Sequence, residues 1–148
     1  DKAQFPSVPI DPRSEIRTVH EFFADEAAEK GVTLIEDCRE TGPIMADRDL
    51  FKQIIANLIA NALKHTSSGG QVRVSCHRVS HDVVIEVTDT GAGIAANDLP
   101  HIFERFFRAG APAETSGLGL GLAIVKSITE LYRGGVSVTS EPGRGTAF

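Results

Sequence analysis

Three glycine-rich breaks divide the second half of this chain: Asp89-Thr90-Gly91-Ala92-Gly93, Gly117-Leu118-Gly119-Leu120-Gly121 and Gly143-Arg144-Gly145-Thr146. Each adjoins a segment of strong periodicity, so the chain must fold as short helices and strands whose ends meet at loops rather than as long uninterrupted elements. Gln71 to His77 alternates, with Val72, Val74 and Cys76 on one face. After a turn at Ser80-His81-Asp82, Val83 to Asp89 alternates again, which predicts an antiparallel hairpin ending at the first break. The second break leads into a helix over Leu120 to Tyr132. The third follows a strand expected over Val136 to Ser140, and a further apolar strand starts only at Ala147-Phe148.

Upstream, Ile16, Val19, Phe22, Phe23 and Ala27 recur at helical spacing within Ser14 to Lys30, and Gly31 supplies a stop. Val32 to Ile35 suits a short strand, and Glu40 to Pro43 a turn before Ile44-Met45. Asp47 is a cap for a second helix with Phe51, Ile55, Leu58, Ile59 and Ala62 on its apolar face, ending near Thr66 to Gly70. Helices and antiparallel strands in this mixture predict a two-layer α/β sandwich, with a mixed, mostly antiparallel sheet packed on helices. A length of 148 residues with 41% hydrophobic content suits one core. Residues 13–148 are expected to form one domain, and the polar stretch Asp1 to Pro12, with three of the seven prolines, a linker remnant. Ala95 to Ser116 is irregular, joining Phe103, Phe106 and Phe107 to small residues. A mobile lid is expected over about 95–118.

Composition narrows the partners. A formal net charge of -5 with interspersed signs argues against nucleic acid. Cys38 and Cys76 lack metal-ligand spacing and suit reduced, cytosolic thiols. No apolar run approaches the ~20 residues that span a bilayer, so no direct membrane contact is expected of this segment.

The candidate site residues lie on the borders of these elements. At 100° per residue Asn57, Asn61 and Lys64 share an arc of roughly 60° beside the apolar stripe. Taken singly, each is better explained by a solvated helix face. Together, the amide oxygens suit Mg²⁺ and the ammonium suits a phosphate. Asp89 falls on the inward face with Val83, Ile85 and Val87, where a carboxylate needs a donor. That donor is either a backbone turn, since Asp-Thr-Gly favours an Asx turn, or the amine of a purine approaching over Gly91 and Gly93. The run Gly117, Leu118, Gly119, Leu120, Gly121 opens a helix, where backbone N–H groups face a phosphate. The P-loop and the dinucleotide fingerprint are both absent. Arg105 and Arg108, set among phenylalanines, can swing to a terminal phosphate or pair with Glu104. His65, next to Lys64, is within reach of a nucleotide, whereas His20, His77, His81 and His101 have no ligand spacing. A purine acceptor, a metal ligand and a phosphate cradle in this order describe an ATP site.

These motifs resemble the catalytic ATP-binding domain of bacterial two-component sensor histidine kinases, within the superfamily shared with gyrase, the Hsp90 chaperone and the MutL repair protein. The resemblance covers about Asp11 to Phe148. Asn57 to His65 is similar to the N box, Asp89 to Gly93 to the G1 box, His101 to Arg108 to the F box and Gly117 to Gly121 to the G2 box. Gly143 to Thr146 is similar to a final glycine-threonine box. The resemblance implies a Bergerat fold of the GHKL type with an ATP lid, Asp89 on the adenine amine and Asn61 on Mg²⁺ with Asn57 close by. It further implies Lys64, His65 and Arg108 at the phosphates, and Thr146 supporting the adenine through its hydroxyl or a water. Glu29-Lys30-Gly31-Val32 and Phe106-Phe107-Arg108-Ala109 also resemble the heavy-metal sensor branch.

One departure bears on the reaction. The ATP hydrolases and anti-sigma serine kinases of the superfamily carry a Glu one helical turn before the metal-binding Asn. This chain has Asn57 there, and a neutral amide takes no proton. The expectation is a kinase domain that holds ATP until a histidine on a separate dimerisation domain arrives, with Asn57, Lys64 and Arg108 assisting. No helix bearing that histidine precedes Ser14, so the acceptor and dimerisation are assigned to a part absent here. The fragment is expected to be monomeric, to meet a response regulator only indirectly and to belong to the cytoplasmic side of a membrane sensor. The rivals are an ATPase or serine kinase of the same superfamily, and a non-catalytic interaction module without nucleotide.

Overall fold

A computed structural model of the chain describes residues 7–104, 121–132, 134–141 and 143–148. The site expectations for Arg105, Arg108, Gly117, Leu118, Gly119 and Leu120, and most of the expected lid, lie outside the described residues.

Helix α1 runs over Pro12–Lys30, two residues earlier than the apolar spacing suggests. Asp11 explains the start: its carboxylate accepts the Arg13 N–H at 3.2 Å, and Pro12 takes the first helical position, where a missing N–H is harmless. Ile16, Val19, Phe23 and Ala27 are buried along one stripe. The helix stops at Gly31, whose φ of 75° lets its N–H reach back to the Ala27 and Ala28 carbonyls. Phe22, counted with the apolar positions, is exposed and meets Phe23 edge-to-face.

The segment expected as linker up to Pro12 contains a strand, β1 (Val8–Ile10), antiparallel to β3 (Ile44–Ala46). Ile10 is buried in the main core. The composition of the tail hid this because three residues acquire strand geometry only from a partner more than thirty positions away in sequence.

Helix α2 covers Arg48–His65, with the Asp47 carboxylate accepting the Leu50 N–H at 2.9 Å. Ile55, Ile59, Ala62 and Leu63 are essentially inaccessible, and each large side chain among them contributes about 1.5–3 kcal/mol of burial. Strand β2 (Thr33–Cys38) runs parallel to β4 (Gln71–Val79). β4 turns through Ser80, at a φ of 57°, into antiparallel β5 (Asp82–Asp89), so the expected hairpin forms with longer strands.

Helix α3 (Gly121–Leu131) follows, and its neighbour Tyr132 accepts the Asp47 N–H on its hydroxyl at 2.8 Å. The strand expected over Val136 to Ser140 is instead β6, Thr139–Glu141. Val136 and Val138 pack against the core from irregular backbone, so their alternation reflects burial without pairing. The last strand, β7 (Gly145–Ala147), begins earlier than Ala147-Phe148 and lies between β5 and β6. Phe148 continues it, exchanging two backbone hydrogen bonds with Val87 at 2.9 and 3.0 Å.

The main sheet therefore has the order β2-β4-β5-β7-β6, parallel only at β2–β4. Val72, Val74, Cys76 and Val87 are buried on one face, against the helices, while Arg73, His77, Val84 and Glu86 of the other face are exposed. This is the two-layer α/β sandwich. The C-terminal end of β5, the last turn of α2, the start of α3 and β7 meet at one end of it.

Candidate functional site

Asp89 ends β5 with 5% of its surface exposed. Its Oδ1 accepts the Gly91 N–H at 2.8 Å, so the Asx turn foreseen as one alternative exists. That does not exhaust the group, because a carboxylate has about four acceptor positions. Burial raises its pKa above the ordinary 3.8, and the Gly91 and Thr146 amides, then His65, work in the opposite direction.

Two glycines set how closely this turn is held. A Cβ on Gly91 would collide with the His65 backbone carbonyl, and one on Gly145, whose φ is 118°, with the Asp89 carbonyl. The G1 turn is thereby pressed against the last turn of α2 on one side and β7 on the other. Gly93 turns away at a φ of 77°.

On α2, Asn57 and Asn61 are half-buried, whereas Lys64 and His65 are exposed in the last turn. The Asn57 amide donates to the Gly121 carbonyl at 3.4 Å, which brings the one described residue of the second glycine run against the asparagine helix. Although the residue as a whole is exposed, partial removal of the His65 ring from water, then the charge of neighbouring Lys64, lowers its pKa below the ordinary 6.5, with Asp89 acting in the opposite direction. Neutral at pH 7, His65 offers a hydrogen bond rather than a charge. Lys30 of α1 donates to the Leu63 carbonyl in the same turn, and the Thr66 hydroxyl donates to Ala62 at 2.7 Å, so the C-terminal end of α2 is tied down.

Thr146 is buried, and its backbone register places it directly opposite Asp89 on one side and Ser140 on the other. Residues directly opposite in antiparallel strands share a face. Asp89, Thr146 and Ser140 thus form a polar row across β5, β7 and β6. Sequence reasoning missed Ser140. Its signal was the period of two applied to β6, legible only once the register with Thr146 is known.

Of the proposed residues, the fold brings Asp89, Gly91 and Thr146 together against the His65 end of α2, and sets Gly121 beside Asn57 on the same helix, which also carries Asn61 and Lys64. The donor set suits a purine and its phosphates: a buried acceptor carboxylate, turn glycines whose Cβ positions are filled by backbone, and half-buried amide oxygens on the adjoining helix.

Residues 46–148 match the family described as "Histidine kinase-, DNA gyrase B-, and HSP90-like ATPase". The chain is 39% identical over 134 residues to the adaptive-response sensory kinase SasA of Crocosphaera subtropica, covering 89% of this chain and 35% of that protein. It is 37% identical over 139 residues to the sensor histidine kinase CusS of Escherichia coli K12, covering 90% of this chain and 28% of that one. It thus spans about a third of the length of these curated relatives. Among solved structures, full-length ShkA in complex with AMPPNP superposes with a TM-score of 0.88 at 33% identity, over 100% of this chain and 31% of ShkA. The mycobacterial sensor histidine kinase MprB does so at 0.84 and 26%, over 95% of this chain and 93% of that one. On sequence and on fold, the chain belongs to the family of histidine kinase-, DNA gyrase B- and HSP90-like ATPases.

Proposed function

We propose that this chain is the ATP-binding catalytic domain of a sensor histidine kinase, which holds Mg²⁺–ATP and presents its γ-phosphoryl group to a histidine on a separate domain. The observation that carries the reading is the buried Asp89 carboxylate, set in a cross-strand polar row beside an asparagine-bearing helix. Asp89 accepts the exocyclic amine of adenine, and Gly91 keeps the turn low enough for a flat ring to pass. Thr146 supports the same edge. Asn61 holds Mg²⁺ through its amide oxygen, and Lys64, with Arg105 and Arg108, neutralises phosphate charge. His65 contributes a hydrogen bond. The Gly117 to Gly121 run, of which Gly121 alone is described, is assigned to the phosphates through its backbone amides. When bound, Mg²⁺–ATP supplies the transferable phosphoryl group and concentrates its charge.

The chain's own part is positioning and electrostatics. Asn57 cannot remove a proton, and its amide is engaged with Gly121. From Leu50 to His65, α2 carries no carboxylate. Water at this end of the site is therefore poorly activated, and transfer waits for an acceptor histidine that brings its own base. That acceptor, dimerisation and the route to a response regulator are assigned to other parts of a membrane sensor, with this domain on its cytoplasmic side. Among the described residues no helix is long and apolar enough to cross a membrane.

Calorimetric titration with AMPPNP, with and without Mg²⁺, tests the reading. Saturable binding that weakens on Mg²⁺ removal is expected, and no binding at millimolar nucleotide overturns it. Release of phosphate from ATP by the isolated domain at several turnovers per minute would favour the hydrolase alternative instead.

A further inference from the structure

The Ser140 hydroxyl, outside every glycine motif, makes contacts that fix the direction of a neighbouring proton. Its Oγ accepts the Ile94 N–H at 2.7 Å, lies 3.0 Å from the Gly145 carbonyl oxygen and lies 2.9 Å from the Thr146 hydroxyl oxygen. A serine hydroxyl has one proton to give and two positions at which to accept. The carbonyl can only accept, so the Ser140 proton goes to Gly145. The Ile94 amide takes one accepting position, and the other is left for the Thr146 proton. The reverse assignment, with Ser140 donating to Thr146, forfeits the bond to Gly145 and leaves the Thr146 proton without this partner. With its proton committed, the Thr146 oxygen shows its other surroundings lone pairs alone. Asp89, opposite it in register, is when ionised also an acceptor only.

We propose that Ser140 is a positioning residue for base selectivity: by holding the Thr146 proton it keeps the Asp89–Thr146 edge an all-acceptor surface, suited to a 6-amino purine and hostile to a 6-oxo purine. The inference rests on the ATP reading above and deepens it. Without the Ser140 hydroxyl, Thr146 is able to rotate and offer its proton to a 6-oxo group. The Ile94 amide, which anchors the chain leaving the G1 turn, loses its acceptor in the same step.

The test measures affinities for AMPPNP and GMPPNP by calorimetry for the wild type, Ser140→Ala, Ser140→Thr, Thr146→Val and the Ser140→Ala/Thr146→Val double variant. The wild type should prefer AMPPNP. Ser140→Ala should narrow that preference about tenfold, the worth of one hydrogen bond of this kind, and Ser140→Thr, which keeps the hydroxyl, should retain it. Because Ser140 acts through Thr146, the double variant should be no less selective than Thr146→Val alone. A wild-type ratio in Ser140→Ala, or additive losses in the double variant, overturns the inference while leaving the ATP reading intact. Failure of the wild type to bind AMPPNP overturns that reading and the inference with it. If Ser140→Ala shows no cooperative melt, Ser140→Cys carries the same expectation, since a thiol is a weak donor and acceptor, and an unchanged ratio there is equally decisive.

Discussion

In the proposed reading one Asp89 carboxylate meets a structural and a binding demand: Oδ1 closes the turn onto Gly91, and the remaining acceptor capacity is assigned to the ligand. Asp89→Asn preserves an oxygen for the turn but can place an NH₂ where adenine's amine approaches. AMPPNP affinity should fall ten- to a hundredfold, about 1.5–3 kcal/mol for a charge-assisted bond, with a cooperative melt retained. The pH dependence separates the two demands. Because burial raises this pKa, the folded state favours the protonated form, so the Asp89 contribution to stability is complete below 3.8 and declines as pH rises through the raised value. In chemical denaturation the Asn variant should therefore gain on the wild type as pH rises above 3.8 and then level off. Nucleotide affinity of the wild type should move the opposite way, rising as the carboxylate ionises. Stability and affinity that change with the same sign would contradict the assignment. Asn61→Ala carries a separate expectation: the affinity gain from Mg²⁺ should disappear, while the metal-free affinity stays within about threefold.

Elements converge here because backbone approaches backbone, and Gly91 is the clearest instance. A methyl group there meets the His65 carbonyl, which belongs to a turn already tied by Lys30 and Thr66, so nothing can yield cheaply. Gly91→Ala should cost about 3 kcal/mol through overpacking, lowering the melting temperature by about 10 °C. Gly135→Ala, where a Cβ meets nothing within 4 Å, should leave it unchanged within about 2 °C. The same distinction explains what the sequence made legible. α2 and the β4–β5 hairpin rest on local periodicity and capping, both visible in the order of residues, and Asp89 inherits its inward face from the hairpin. β1 depends on β3, and β6 on β7, so three-residue strands were missed or displaced towards the apolar Val136 and Val138. Ser140 was illegible for that reason: its role is a cross-strand register, which exists only after the sheet closes.

At the scale of the molecule, the question is whether the site and the rest of the core open together. Cys38 and Cys76 are free, buried thiols paired in register across β2 and β4, and burial pushes both pKa values up, so neither is an activated nucleophile. Cys76 lies four residues along β4 from Val72, the register partner of Asp89, about 13 Å from the site end of the sheet. Labelling by an aromatic disulfide reagent should accordingly be at least ~100-fold slower in the folded chain than in urea, requiring an opening reaction. α1, α2 and the inner sheet face share one apolar cluster, so that opening should be global. A ligand bound only to the folded state then protects residues it never touches. AMPPNP at 100 times its dissociation constant should slow labelling by a further ~100-fold. Labelling unaffected by saturating nucleotide would mean that the β2 edge opens separately, and that nucleotide stabilises only its own end of the sheet.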